Sequence, residues 1–335
     1  MYNEDYILKE VNKIREEIGH ELVNINICKI IYNKEKNELW IITSDRPDKS
    51  AIIGKGGWVV GKLREKLSIE QIHVESYGDF LTKKYKLELS EKRTNELSNE
   101  FKVMNNLNHI INEKIDNIYN FNLNNYFEKN KFVESENPSV IAYSGGVDSS
   151  YSLILAKKLG FNPISITVDP GTIILPKQFK NNIDSLTKQL GIKQIYIKVD
   201  LDEVIKETLE GKYHPCGRCS KIIEEEVFNY CIENEINLAI FGDMLSTGYQ
   251  CITKQHENIY RVNLPASLCS TKQEIKTLTK NYNLISFDKF GCPLLHEVHK
   301  KYPHFKKFSI QRILRETRAQ ALEPGEALNL IWSFY

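Results

Sequence analysis

The chain has 335 residues, 41% of them hydrophobic and 27% charged, with a net charge of +1; this is an ordinary globular balance, long enough for two cores. Near-neutral charge excludes a globally basic nucleic-acid binder, so any such contact has to be a local patch. A polar start and no apolar run near ~18 residues exclude a secretory signal and a membrane span; in the cytoplasm that this implies, seven cysteines point to metal or redox chemistry rather than a disulfide scaffold.

Residues 1–80 read as a small α+β unit. A helical pattern covers 4–18, strands follow at 24–31 and 38–42, and a short helix after Pro47 ends in Ala51-Ile52-Ile53. Gly54-Lys55-Gly56-Gly57 turns the chain into a second helix, Trp58 to Leu67, and 69–75 closes the unit as a strand. Between Arg46 and Lys66 six basic residues face two acids, a local +4, although 1–79 as a whole holds 12 basic and 14 acidic residues. The order helix–strand–strand–helix–GKGG–helix–strand resembles a type II KH domain. The resemblance implies that Gly54, Lys55, Gly56 and Gly57 clamp the backbone of a few single-stranded nucleotides, the glycines allowing close approach and Lys55 adding charge. The string Gly56 to Lys62 also fits the start of a Walker A loop. Leu63 stands where a Ser or Thr is needed, so no second nucleotide site is expected there.

Residues 81–137 are polar, with Leu89, Leu97, Met104, Leu107, Ile110, Ile111, Ile115 and Ile118 at roughly helical spacing, and are read as a helical connector. Pro138 marks the next boundary. From there strands at 140–143, 164–168, 194–199 and 238–241 alternate with helices at 150–159 and 177–190. Short β-branched runs alternating with helices predict an α/β fold with a parallel sheet covered on both faces. Ligands in such folds bind at the carboxyl ends of the strands, here after Tyr143, Val168 and Phe241.

Ser144-Gly145-Gly146-Val147-Asp148-Ser149-Ser150 follows the first of these strands and opens a helix. Two glycines let backbone N–H groups approach an anion, Ser144, Ser149 and Ser150 offer hydroxyls, and the helix N-terminus adds partial positive charge. Asp148 stands where a carboxylate caps the helix or holds Mg²⁺. The string matches SGGxDS, and over 138–292 the chain resembles the PP-loop (N-type ATP pyrophosphatase) enzymes, whose fold is that of the adenine nucleotide alpha hydrolases. The resemblance implies cleavage of ATP between its α- and β-phosphates, with adenylation of a substrate oxygen. It implies further that Asp169 lies near the adenosine and that Gly242 and Asp243 flank the phosphates or metal; Gly242 to Gly248 resembles a loop of RNA-thiolating members.

Cys216-Gly217-Arg218-Cys219 stands just before a helical stretch that starts at Ser220. The turn brings two thiols together, and the helix N-terminus and Arg218 are expected to favour their anionic form. No second CxxC completes a zinc knuckle, but an isolated Cys292 follows Phe290-Gly291. CxxC plus one distant cysteine behind a PP-loop resembles the iron–sulfur-dependent tRNA thiolation enzymes. That resemblance implies a four-iron four-sulfur cluster on Cys216, Cys219 and Cys292, with an iron left open for sulfide; a persulfide relay, zinc and a purely structural role stay open. Cys28, Cys231, Cys251 and Cys269 are read as packed side chains, and His296 and His299 as surface or RNA-facing. The basic segment 293–335, with Arg315 and Arg318 among its charges, is expected to meet RNA.

Together these features predict a tRNA sulfurtransferase with Asp148, Asp243 and the three cysteines at its centre, using ATP and Mg²⁺. Its partners would be tRNA and a sulfur donor, either sulfide or a carrier protein, with no membrane; the sequence leaves room for a homodimer. The runner-up is a PP-loop ligase adding nitrogen to RNA. A reading from another class is an RNA-binding sensor of ATP or redox state.

Overall fold

The computed structural model describes residues 2–256, 258–285 and 290–335. The chain divides into two compact units, Met1–Tyr85 with Ile118–Asn120, and Lys86–Asn117 with Phe121–Tyr335. Among the described residues no helix is long and apolar enough to cross a membrane.

The first unit opens with α1 (Glu4–Glu17), capped by the Asn3 side chain and burying Ile7, Val11 and Ile14 along one stripe. Strands β1 (Ile27–Asn33) and β2 (Glu38–Thr43) pair antiparallel. Helices α2 (Arg46–Ile53) and α3 (Trp58–Leu67) flank the glycine turn, and β3 (Gln71–Ser76) returns parallel to β2. Alternation sends Leu39, Ile41 and Val74 into a core shared with Ile52, Val59 and Leu63. The Walker-like string runs straight into α3, so no phosphate loop forms there.

Helix α4 (Tyr77–Leu97) continues from β3, and α5 (Met104–Asp116) and α6 (Leu123–Lys129) follow. Met104, Leu107, Ile110 and Ile111 are buried as the helical spacing anticipated. Residues 86–117 and 121–137 belong to the same compact unit as the large sheet, as does everything after 292.

That sheet comprises β4 (Ser139–Ala142), β5 (Pro163–Asp169), β6 (Gln194–Lys198), β7 (Leu238–Phe241), β8 (Ile252–His256) and β9 (Ile259–Asn263), in the order β6-β5-β4-β7-β9-β8. All pairings are parallel except β8 with β9. The β8–β9 hairpin was not anticipated, because Ile252-Thr253-Lys254-Gln255-His256 is a polar edge strand without an apolar run. Between the strands run α7 (Val147–Lys158), α8 (Lys177–Leu190), α9 (Asp202–Leu209) and α10 (Cys216–Glu233). After the sheet come α11 (Leu264–Ser267), α12 (Lys272–Thr279), α13 (Pro293–Lys301), α14 (Lys306–Arg318) and α15 (Pro324–Trp332). Val140, Ile166 and Ala239 of the sheet pack on Val227, Phe228 and Cys231 of α10. The chain leaves β4 towards β5 and β6 and returns on the other side at β7, so the switch point lies between β4 and β7.

Beyond the C-cap of α7 stands Gly160, whose φ is +80° and where an added Cβ would lie 2.4 Å from the Val133 carbonyl oxygen. Gly160→Ala should therefore cost roughly 2–4 kcal/mol through left-handed backbone strain and displacement of that carbonyl. A urea or thermal melt checks this; an unchanged midpoint contradicts the packing described.

Candidate active site

At the switch point Gly146 is the N-cap of α7 and no side chain caps the helix, which leaves its first N–H groups directed at whatever lies beyond β4. Gly145 has φ +73°, and a Cβ there would fall 2.5 Å from the Phe179 carbonyl oxygen, so only glycine fits. The loop is laced internally. The Ser144 N–H donates to Ser149 Oγ at 3.3 Å, the two hydroxyls lie 3.1 Å apart, and Ser149 Oγ donates to the Gly146 carbonyl at 3.0 Å. Asn182 Nδ2 donates to the Gly145 carbonyl at 3.1 Å, and Ser150 Oγ lies 3.0 Å from the buried Tyr143 hydroxyl.

Gly242 ends β7 against this loop. A Cβ on it would lie 3.3 Å from the Ser149 Cα and N, so the glycine permits the close approach of the β7 end to the first turn of α7. Asp243 is turned into its own loop, where it accepts from the Leu245 N–H at 3.1 Å and from Ser246 Oγ at 2.5 Å. Asp169, at the end of β5, pairs with Lys180 at 2.5 Å and accepts from the Gly171 N–H at 3.1 Å. Burial pushes its carboxyl up, but Lys180 and that N–H outweigh burial and hold it below the usual carboxylate range.

Asp148 does not cap α7. Its Oδ2 pairs at 2.5 Å with Lys272 Nζ from the first turn of α12, and Glu316 Oε2 of α14 lies 3.8 Å from the same ammonium. Sequence reading missed Lys272, which sits 124 positions from Asp148. The local signal that could have placed its helix is the Thr271–Glu274 capping box that starts α12.

The cysteines 216, 219 and 292 are near enough for Cys292 to raise both of the others electrostatically. Helix α10 begins at Cys216 rather than at Ser220, so Cys216 and Cys219 share one face of its first turn. Cys292 is the N-cap of α13 and packs against Leu294, Val298 and Phe305. Burial, then Cys292, pushes Cys216 and Cys219 up to about 11. Burial also raises Cys292, against the pull of the Leu295 and Leu294 N–H groups. Arg218 does not serve the thiols as expected; its guanidinium lies over the Tyr213 ring at 3.8 Å, and the cation that draws Cys216 down is Arg312. Among the described residues no three His, Cys, Asp or Glu side chains stand at metal-ligand spacing; the thiols converge without closing to it.

Of the other cysteines, Cys231 and Cys251 are buried as expected, whereas Cys28 is exposed, 3.2 Å from Ser44 Oγ. His299 is 4% exposed rather than on the surface. Its Nε2 lies 3.2 Å from Ser309 Oγ, its ring faces His214 at 6.0 Å, and burial draws it down to about 4.

In the first unit, Gly54, Gly56 and Gly57 all have positive φ, and nothing lies within 4 Å of a Cβ placed on Gly57. The loop thus presents bare backbone beside Trp58, which is 65% exposed. The +4 segment is smaller in effect than its sequence count. Arg46 pairs with Asp79, Lys49 with Glu75 and Lys66 with Glu10, all acids outside the segment. Arg315 and Arg318 are exposed on α14.

No protein-family profile matches the chain. The uncharacterized protein MJ1638 of Methanocaldococcus jannaschii is 37% identical over 199 residues, 59% of this chain and 75% of that protein. The tRNA-specific 2-thiouridylase MnmA of Carboxydothermus hydrogenoformans is 21% identical over 237 residues, 57% of this chain and 61% of the thiouridylase. Among solved structures, the U34-tRNA thiolase NcsA of Methanococcus maripaludis, with its [4Fe-4S] cluster, aligns with 60% of this chain and 72% of its own at 15% identity and a TM-score of 0.37.

Thiols held near 11 are protonated at neutral pH and react slowly. In metal-free folded protein, iodoacetamide labelling of Cys216 and Cys219 should be slow at pH 7 and rise steeply as pH approaches about 11. Site-resolved mass spectrometry of the labelled protein measures this. Rapid labelling of both at pH 7 contradicts the burial described.

Proposed function

The chain belongs to the PP-loop ATP pyrophosphatase superfamily, in one family with MJ1638, and from this premise we propose that it is an ATP-dependent tRNA sulfurtransferase. The observation that carries the proposal is one compact unit holding both an uncapped, glycine-opened helix N-terminus and three thiols gathered from positions 216, 219 and 292. The first suits pyrophosphate, the second a sulfur-handling centre, and thiouridylation requires both.

Ser144, Gly145, Gly146, Ser149 and Ser150 would hold the phosphates, Asp148 would hold Mg²⁺, and Lys272 would meet the phosphate charge. Asp169 and the Gly242–Asp243 strand end would border the nucleotide. Adenylation of a base carbonyl oxygen turns that oxygen into part of AMP, a far better leaving group than hydroxide. A sulfur nucleophile then adds at the same carbon, and AMP leaves with the oxygen.

The donor set of Cys216, Cys219 and Cys292 fits a four-iron four-sulfur cluster: three thiols, all at helix N-termini, where N–H groups favour the anionic form a metal needs. When bound, such a cluster supplies an iron whose fourth position is free to carry sulfide from the donor, whether free sulfide or a carrier protein. Protonated thiols are poor nucleophiles at neutral pH, whereas metal binding displaces their protons. Gly54, Lys55, Gly56 and Gly57 of a KH-like first unit, with Arg315 and Arg318, would hold the tRNA backbone.

With bulk tRNA, Mg²⁺ and sulfide, ATP should yield AMP and pyrophosphate, and nucleoside mass spectrometry should show a thiolated base. Ser144→Ala or Asp148→Ala should lower the rate at least about 100-fold by removing phosphate or metal contacts. Cys216→Ala, Cys219→Ala or Cys292→Ala should each abolish thiolation and the iron content, while Cys231→Ala does neither. ADP and orthophosphate as main products sink the adenylation; stoichiometric zinc with full activity and no iron sinks the cluster.

A second measurement addresses the RNA contacts. Gly56→Asp with Gly57→Asp should weaken tRNA binding about tenfold or more without unfolding, because the loop is open and Asp tolerates positive φ. Arg315→Ala with Arg318→Ala should weaken it further and flatten its salt dependence. A salt series of tRNA affinities measures both; wild-type affinity for the loop variant removes the first unit as the RNA handle.

A further inference from the structure

Lys272 is fixed from two directions by α14 and the loop that follows it. Its N–H donates to the Ala321 carbonyl at 2.7 Å, and the Ala321 N–H in turn donates to the Glu316 carbonyl at 3.0 Å. Its ammonium stands between Asp148 Oδ2 at 2.5 Å and Glu316 Oε2 at 3.8 Å. Glu316 is 6% exposed, and its other oxygen lies 3.5 Å from Arg312 Nε one turn earlier. A carboxylate this buried is costly to desolvate, and the cost is offset only if the charge has well-placed partners. Held by Asp148 alone, the Lys272 ammonium would follow that carboxylate whenever it turned to another cation.

We infer that Glu316 is a positioning residue of the nucleotide site: it keeps the Lys272 ammonium beside the Ser144–Ser149 loop when Asp148 engages Mg²⁺·ATP. The inference rests on the ATP reading above and adds α14 to the site. Arg312, one turn earlier on the same helix, pairs with the other Glu316 oxygen. One turn of α14 thus carries the anion that holds the phosphate-loop lysine and the cation that partners that anion.

Calorimetric titration with Mg²⁺·ATP tests this on wild type, Glu316→Gln, Glu316→Asp, Lys272→Met and the Lys272→Met/Glu316→Gln double variant. Glu316→Gln should raise Kd about tenfold at unchanged stoichiometry, the size of one charge-assisted contact. Glu316→Asp should recover part of the loss and carries the comparison should Glu316→Gln fold poorly. Lys272→Met should bind at least as weakly as Glu316→Gln, and the double variant no more weakly than Lys272→Met, because Glu316 acts only through the lysine. A merely structural role lowers the stoichiometry and leaves Kd where it was, and that result overturns the inference. So do a wild-type Kd for both Glu316 variants and full additivity in the double variant. Wild-type protein that does not bind Mg²⁺·ATP overturns the ATP reading and this inference together.

Discussion

The first turn of α7 is open, and the surroundings of the site are arranged to keep it so. Gly146 supplies no cap, and the serine hydroxyls that could have served as caps are occupied with one another and with the Gly146 carbonyl. Gly145 escapes Phe179 only by lacking a Cβ, and Gly242 brings β7 against Ser149 for the same reason. A helix start with glycine at the N-cap costs a few tenths of a kcal/mol relative to one capped by a side chain. That cost is offset when an anion takes the place of the cap, and the parallel sheet puts the opening where two crossovers diverge and leave room for one.

Charge is handled differently at the two halves of the site. Around the Ser144–Ser150 loop the carboxylates named above each have a cation or an N–H group: Asp148 has Lys272, Asp169 has Lys180, and Asp243 has its own turn. On the proposed reading, arriving phosphates would meet neutralised acids and open N–H groups, and Mg²⁺ would have to compete with Lys272 for Asp148. At the thiols the balance runs the other way. Burial raises Cys216 and Cys219, and the helix N–H groups and Arg312 only partly counter it. Thiols raised in this way are largely protonated at neutral pH.

Much of this was legible in the sequence because it is local. The loop from Ser144 to Ser150, the strand–turn–helix around it and the α1–β1–β2–α2–α3–β3 order follow from spacings of a few residues. What escaped depends on distant chain segments. Lys272 meets Asp148 across 124 positions, and no periodicity announces such a pair. Arg218 was the obvious cation for its neighbouring thiols, yet it extends over Tyr213, and Arg312, far along the chain, takes the role. The Cys216–Cys219 turn was expected ahead of its helix; it is the helix's first turn, which starts directly after Pro215 and runs through Gly217. His299 looked polar and exposed, but Phe334 packs on its ring edge-on at 5.3 Å while Ser309 satisfies one nitrogen.

Counting basic residues overstated both candidate RNA faces, for one reason. Half of the six cations between Arg46 and Lys66 are spent on carboxylates outside that segment. In the C-terminal segment Lys301 donates to the Leu209 carbonyl, Lys306 to the Phe334 carbonyl, and Arg312 pairs with Glu316. Those residues hold α9, α13, α14 and the chain's last turn together. A lysine satisfied by a carbonyl or a carboxylate has to give up that contact to meet a phosphate, so it contributes less to counterion release than its charge suggests. The outward set on α14 is then led by Arg315 and Arg318. Glu316, on the buried side of α14, faces Lys272, while Arg312, Arg315 and Arg318 form a narrow basic edge turned to solvent.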